Sequence, residues 1–146
     1  MNENLEIVTH IYKDSEMSIS SLKKLNTVLE NKDNKIKNII EEILQGYEEY
    51  FKKAKKILIN GKGKKEKTGL ITKVMANMGI DKEVKDDNSD SAIADLLIKG
   101  IMMGTVDLEK KIKKYEDVKL NEETKKIVED FQSFQNSCIE KLRCFL

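Results

Sequence analysis

Four long segments of the chain repeat apolar residues at intervals of three and four positions, the pattern of a helix with one buried stripe. The 146 residues include no proline, so no such residue interrupts these helices from within. The predicted helices cover residues 3–30, 35–59, 91–115 and 122–145. The sequence therefore predicts an all-α fold, a four-helix bundle in which each helix turns its apolar stripe towards one shared core.

The lengths of the connections predict the topology. Helices one and two, and helices three and four, are joined by only about six residues, so each pair forms an antiparallel hairpin. The connection 60–90 is longer and contains an apolar segment, 70–79, that fits one short helix. Because a 24-residue helix is about 36 Å long, this connection can cross the whole bundle. We expect one domain, 1–146, in which helices two and three run parallel.

Two residues are placed to end or begin predicted helices. Asn121 stands directly before the fourth helix, where its side chain can cap the first turn. Gly61 follows the second helix, in a place suited to a left-handed C-terminal cap.

The charged residues exclude some functions. The chain has 27 basic and 26 acidic residues, and Arg143 is its one arginine. Since phosphates and base edges are read preferentially by guanidinium groups, we do not expect nucleic-acid recognition. No apolar run approaches the ~20 residues of a membrane span, and no secretory signal is recognisable, so we expect a cytoplasmic protein. Cys138 and Cys144 lie too far apart on one helix to form a disulfide.

The layout of hairpins and crossover carries a resemblance. The crossover contains Met78-Gly79-Ile80, and the third helix reads Gly100-Ile-Met-Met-Gly104-Thr-Val-Asp107 before Lys114-Tyr115. In this layout, over nearly its whole length, the chain resembles the ferritin-like superfamily. It is more closely similar to small bacterial bundle proteins grouped as a domain of unknown function.

The dinuclear metal centre of that superfamily needs a glutamate on each of two helices and a Glu-x-x-His pair on each of the others. This chain has a single histidine, His10, and no Glu-x-x-His pair. The positions on helix one that would face the metals are Ser15 and Ser18. We therefore predict no dinuclear site and no cofactor, and an interior closed by aliphatic and aromatic side chains rather than ionisable ones.

Gly100 and Gly104 lie in the middle of the third helix, where each glycine costs roughly 1 kcal/mol against alanine. One interpretation is the close approach of a neighbouring helix or an aromatic ring. The other is a small cavity for a ligand, with Thr105 and Asp107 at its rim, and with burial raising the pKa of Asp107. These four residues form the predicted ligand site.

His10 lies one position off the apolar stripe, four residues from both Glu6 and Asp14. It is a weak candidate metal or haem ligand, with a methionine such as Met17, Met102 or Met103 as its second ligand. The alternative is a boundary histidine paired with a neighbouring carboxylate.

Eight lysines and one glutamate occupy residues 52–67. Within this run Lys62, Lys64, Lys65 and Lys67 form a candidate patch for a polyanion. The alternative is a solvated crossover whose charge is partly neutralised by the acidic residues that follow.

Together these features favour a non-enzymatic protein-interaction, self-association or stress-related accessory module. Val128 and Ile139, with the C-terminal Phe145 and Leu146, predict a second apolar edge on helix four and hence a homodimer or a protein partner. The alternatives are a metal- or small-ligand-binding ferritin-like bundle, such as a diverged oxidoreductase, and lysine-mediated binding of a polyanion.

Overall fold

A computed structural model describes residues 2–62 and 87–146. These residues form four helices and no strand, as the periodicity predicts, and the helix ends agree with the predicted ones within about three residues. The helices are α1 (Glu3–Val28), α2 (Lys37–Lys62), α3 (Asp90–Lys114) and α4 (Glu122–Arg143). The all-α four-helix bundle is thus confirmed.

Side-chain caps explain where three of the helices begin. Asn2 accepts a hydrogen bond from the Leu5 amide at 2.9 Å, and Ser89 caps α3 in the same way. Asn121 accepts from the Thr124 amide at 2.8 Å, which confirms the predicted cap of α4.

The predicted end of the second helix at Gly61 is wrong, because α2 continues through Gly61 to Lys62. A Cβ atom at Gly61 would lie 2.7 Å from Leu5 Cδ2. Gly61 therefore does not end the helix. Its missing side chain leaves room for Leu5 to pack against α2.

Contacts at the two ends of the bundle establish the helix directions. Asn34, in the loop between α1 and α2, donates to Asp90 Oδ1 at the start of α3 at 2.8 Å. At the opposite end Tyr115, directly after α3, donates to Glu6 near the start of α1. Thus α1 is antiparallel to both α2 and α3, and α2 and α3 run parallel. Since α2 ends and α3 begins at opposite ends, the predicted long crossover is confirmed; its predicted short helix, 70–79, lies outside the described residues.

The core is largely aliphatic and aromatic, but polar side chains interrupt it. Asp14, Ser15 and Gln135 are all buried, with exposed fractions of 7%, 0% and 0%. The expectation of an interior closed by apolar side chains alone is therefore wrong. An ionisable group lies inside this bundle.

The predicted apolar edge of helix four is also wrong. Val128 and Ile139 are buried in the bundle and belong to its core, and Phe145 packs against that core. Among these residues Leu146 alone is exposed. The edge disappears because α4 packs against more than one helix and so needs a wide apolar stripe.

Candidate functional site

A groove of about 870 Å³ runs between α1 and α3, with two residues of α2 at its base. Its volume lies in the range of ~300–1,000 Å³ that small-molecule sites occupy. The lining residues are Glu6, Thr9, His10, Lys13, Asp14, Met17, Ser18, Ser21 and Leu22 of α1, Ile43 and Tyr47 of α2, and Leu96, Leu97, Gly100, Ile101, Met103, Gly104, Asp107 and Lys111 of α3.

The two glycines of α3 shape this groove in different ways. Apart from Gly100 itself, its chain neighbours and the adjacent backbone of α3, no atom lies within 4 Å of where a Cβ would stand at Gly100, so α3 presents open space there. At Gly104 a Cβ would stand 2.5 Å from Asp14 Oδ2. Gly104 therefore lets the Asp14 carboxylate lie directly against α3, while Gly100 leaves the neighbouring part of the groove empty. The close neighbour at Gly104 is a carboxylate rather than a ring.

Asp14 lies at the base of the groove in a polar cluster that joins three helices. Gln135 of α4 donates through Nε2 to Asp14 Oδ2 at 3.0 Å and to the Tyr47 hydroxyl of α2 at 3.2 Å. Ser18 donates to Asp14 Oδ1 at 3.4 Å. Burial nevertheless raises the pKa of Asp14 to about 6, and the negative charge of Asp107 on α3 adds to this rise.

His10 lies beside Asp14, with 12% of its side chain exposed. Its Nε2 atom is buried without a hydrogen-bond partner and is 4.0 Å from Asp14 Oδ2, too far for a hydrogen bond. Burial lowers the pKa of His10, and the positive charge of Lys111 lowers it further, while a hydrogen bond to the Gly104 backbone acts in the opposite direction. The imidazole is thus neutral at pH 7 and does not neutralise Asp14.

At the end of the groove, Glu6 holds α1 to the end of α3. Tyr115 donates to Glu6, and the Lys111 and Lys114 ammonium groups lie 3.5 and 3.7 Å from Glu6 Oε1. The Tyr115 hydrogen bond is the main cause that lowers the pKa of Glu6, and the two lysines add to it. Lys111 therefore already has a carboxylate partner.

The structure separates the four residues of the predicted ligand site. Gly100, Gly104 and Asp107 line the groove. Thr105 faces a different, polar depression between α3 and α4, next to Glu109, and its hydroxyl donates to the Met102 carbonyl at 2.8 Å. Asp107 is exposed, so the predicted burial of its carboxyl group is wrong.

The burial of Asp14, which the sequence placed only as a neighbour of His10, and the role of Gln135 were not predicted, although a signal for Gln135 exists. Gln135 lies four residues after Phe131 and three before Cys138, in line with the buried stripe of α4. A polar residue on such a stripe needs a buried partner, and here Asp14 and Tyr47 are its partners.

Other candidate residues are placed as follows. Within residues 2–62 and 87–146 no group of three His, Cys, Asp or Glu side chains is arranged to hold a metal ion at His10 or elsewhere. Lys62 ends α2, and Lys64, Lys65 and Lys67 lie outside the described residues. Cys138 is buried and Cys144 exposed, and neither forms a disulfide.

No protein-family model, curated protein or solved structure matches the chain. The resemblance to ferritin-like bundles therefore stays a prediction. Among the described helices, none combines the length and the hydropathy that crossing a lipid bilayer requires.

Proposed function

We propose that this bundle is a non-enzymatic binding protein that holds a small amphipathic molecule in the groove between α1 and α3. One observation carries the proposal: an 870 Å³ groove combines apolar walls with a buried carboxylate, Asp14, at its base. Ligand sites in proteins are typically concave and apolar, with a few polar groups that fix the orientation of the ligand.

The apolar walls supply the affinity. Leu22, Ile43 and Leu97 line the groove, and Met17 and Met103 stand at its surface, where Met103 is 70% exposed. Methionine side chains are flexible and adapt to ligands of different shape. A ligand that removes about 200 Å² of apolar surface from water gains roughly 5 kcal/mol before the entropic cost of binding.

Titration with a neutral apolar dye whose fluorescence rises in apolar surroundings, such as N-phenyl-1-naphthylamine, tests this proposal. We expect saturable binding of one dye per chain. Gly100→Leu should weaken it by about tenfold or more, because the new side chain fills open groove space. Met102→Leu is the matched control, since Met102 lies on the same helix but outside the groove.

Two results would contradict the proposal. One is the absence of saturable binding to the wild-type chain. The other is dye binding that Gly100→Leu and Met102→Leu leave equally unchanged, because the dye would then lie elsewhere.

A second candidate function is self-association or binding of a protein partner through the outer surface of α3. Met102, Met103 and Val106 are large apolar side chains that are all exposed there. Exposed apolar patches of this kind mark interaction surfaces. Light scattering should then show a dimer that Val106→Glu converts to a monomer; a wild-type chain that stays monomeric at high concentration would contradict this candidate.

A further inference from the structure

We infer that the polar end of the ligand is a cationic amine, held between Asp14 and Asp107 while its apolar part lies along the groove. This inference rests on the proposed function, because it names the class of molecule that the same groove binds.

Asp14 places a buried carboxylate at the base of the groove. Asp14 has an exposed fraction of 7%, and its described hydrogen bonds come from the neutral donors Gln135 and Ser18. Within the described part of the chain, no lysine or arginine nitrogen lies within 4.0 Å of Asp14 or Asp107. A buried carboxylate without a cationic partner is costly, and a ligand cation would supply that partner.

Asp107 lines the groove on α3, three residues after Gly104, against which Asp14 packs, and its negative charge acts on Asp14. Two carboxylates that line one groove and repel each other make the potential there negative. A cation placed there interacts favourably with both.

The basic groups that line the groove do not take the place of a ligand cation at Asp14. His10 is neutral, and its unpaired Nε2 adds another acceptor next to Asp14. Lys111 is held by Glu6 at the end of the groove, and Lys13 is exposed at the surface. The base of the groove therefore repels an anionic head group and offers a neutral one only hydrogen bonding.

The apolar walls of the groove indicate the rest of the ligand. Leu97 and Ile101 are buried groove residues on α3, and Leu22 is their counterpart on α1. Apolar side chains on both walls fit a hydrocarbon chain or ring joined to the amine. The chemical class is thus a protonated amine joined to an apolar chain or ring.

Isothermal titration calorimetry at pH 7.5 with three probes of equal chain length tests the inference. We expect n-octylamine, protonated at this pH, to bind about tenfold or more tightly than 1-octanol, and octanoate to bind most weakly. Asp14→Asn should remove the preference for the amine over the alcohol. Asp107→Asn should reduce it in part. Glu109→Gln removes the same charge from α3 on the side away from the groove and should leave the preference unchanged.

The outcomes separate the inference from the proposed function. Equal affinities for octylamine and octanol, a tighter complex with octanoate, or an amine preference that Asp14→Asn preserves would each overturn the inference, while groove binding itself would stand. If none of the three probes binds, the inference fails as well, and the dye titration with Gly100→Leu decides separately whether the groove binds apolar molecules. Circular dichroism of Asp14→Asn confirms that the variant is folded.

Discussion

Replacing Asp14 with asparagine should make the protein more stable at neutral pH, although it removes the charge that we assign to ligand binding. Asparagine has nearly the same shape as aspartate and is uncharged at every pH. Its carbonyl oxygen can accept the Gln135 hydrogen bond, and its amide can donate to the Ser18 hydroxyl. The substitution therefore removes the cost of a buried charge and keeps the packing.

The magnitude follows from the pKa of Asp14. In the unfolded chain the carboxyl ionises near its ordinary pKa of 3.8, whereas burial raises the pKa to about 6 in the folded protein. Between these values the folded state holds more protons than the unfolded state, so the free energy of unfolding falls as the pH rises. At about 1.4 kcal/mol per pH unit, this difference costs the wild-type protein roughly 3 kcal/mol at pH 7.5 and almost nothing well below pH 3.8.

Urea unfolding followed by circular dichroism at pH 4, 5, 6 and 7.5 measures the effect. Asp14→Asn should exceed the wild type by about 2–3 kcal/mol at pH 7.5, and this difference should shrink towards zero at pH 4. Asp117→Asn, at an exposed carboxylate after α3, is the control and should change the stability by less than about 0.5 kcal/mol. An Asp14→Asn variant that is less stable than the wild type at pH 7.5, or whose advantage is independent of pH, would refute the reasoning.

Three further predictions concern the same site. Gly100→Ala should stabilise the protein by up to about 1 kcal/mol, because the new methyl group enters open space. Gly104→Ala should be about 1–2 kcal/mol less stable than Gly100→Ala, because its methyl group meets the Asp14 carboxylate. Urea unfolding midpoints in the reverse order would contradict this prediction. Gln135→Leu removes the hydrogen-bond donor to Asp14 and Tyr47 and should lower the free energy of unfolding by about 1–3 kcal/mol. The loss should be larger at pH 7.5 than at pH 5, because this hydrogen bond stabilises the charged form of Asp14. An equal loss at both pH values in urea unfolding would contradict the prediction. In calorimetry octylamine should bind up to about tenfold more weakly at pH 5 than at pH 7.5, because Asp14 gains a proton below about pH 6. The affinity for octanol should not change with pH. A parallel change in both affinities would contradict the role of Asp14.

The helices and their order could be predicted from the sequence because local signals agree with one another. Apolar spacing of three and four, the absence of proline and the cap at Asn121 all indicate the same boundaries. The hairpin connections are too short for any arrangement but antiparallel neighbours, and the crossover is long enough to return along the bundle. None of these inferences depends on knowing which side chains meet in the core.

The groove could be predicted only in part, because it depends on contacts between helices distant in sequence. The spacing of Gly100 and Gly104 indicated a gap beside α3. It did not indicate that Asp14, ninety residues before Gly104, packs against Gly104. Similarly, the width of the stripe that α4 buries depends on how many helices surround it, so Val128 and Ile139 looked like a free edge in the sequence.

Nuclear magnetic resonance spectroscopy of ¹⁵N-labelled protein titrated with octylamine tests most directly whether the groove between α1 and α3 is a binding site. The amide signals of Gly100 and Gly104 should shift in a saturable way. The amide signal of Ser133, which is exposed in the separate depression between α3 and α4, should stay in place. Unchanged signals for Gly100 and Gly104, or shifts of the same size at Ser133, would contradict a ligand site in the groove.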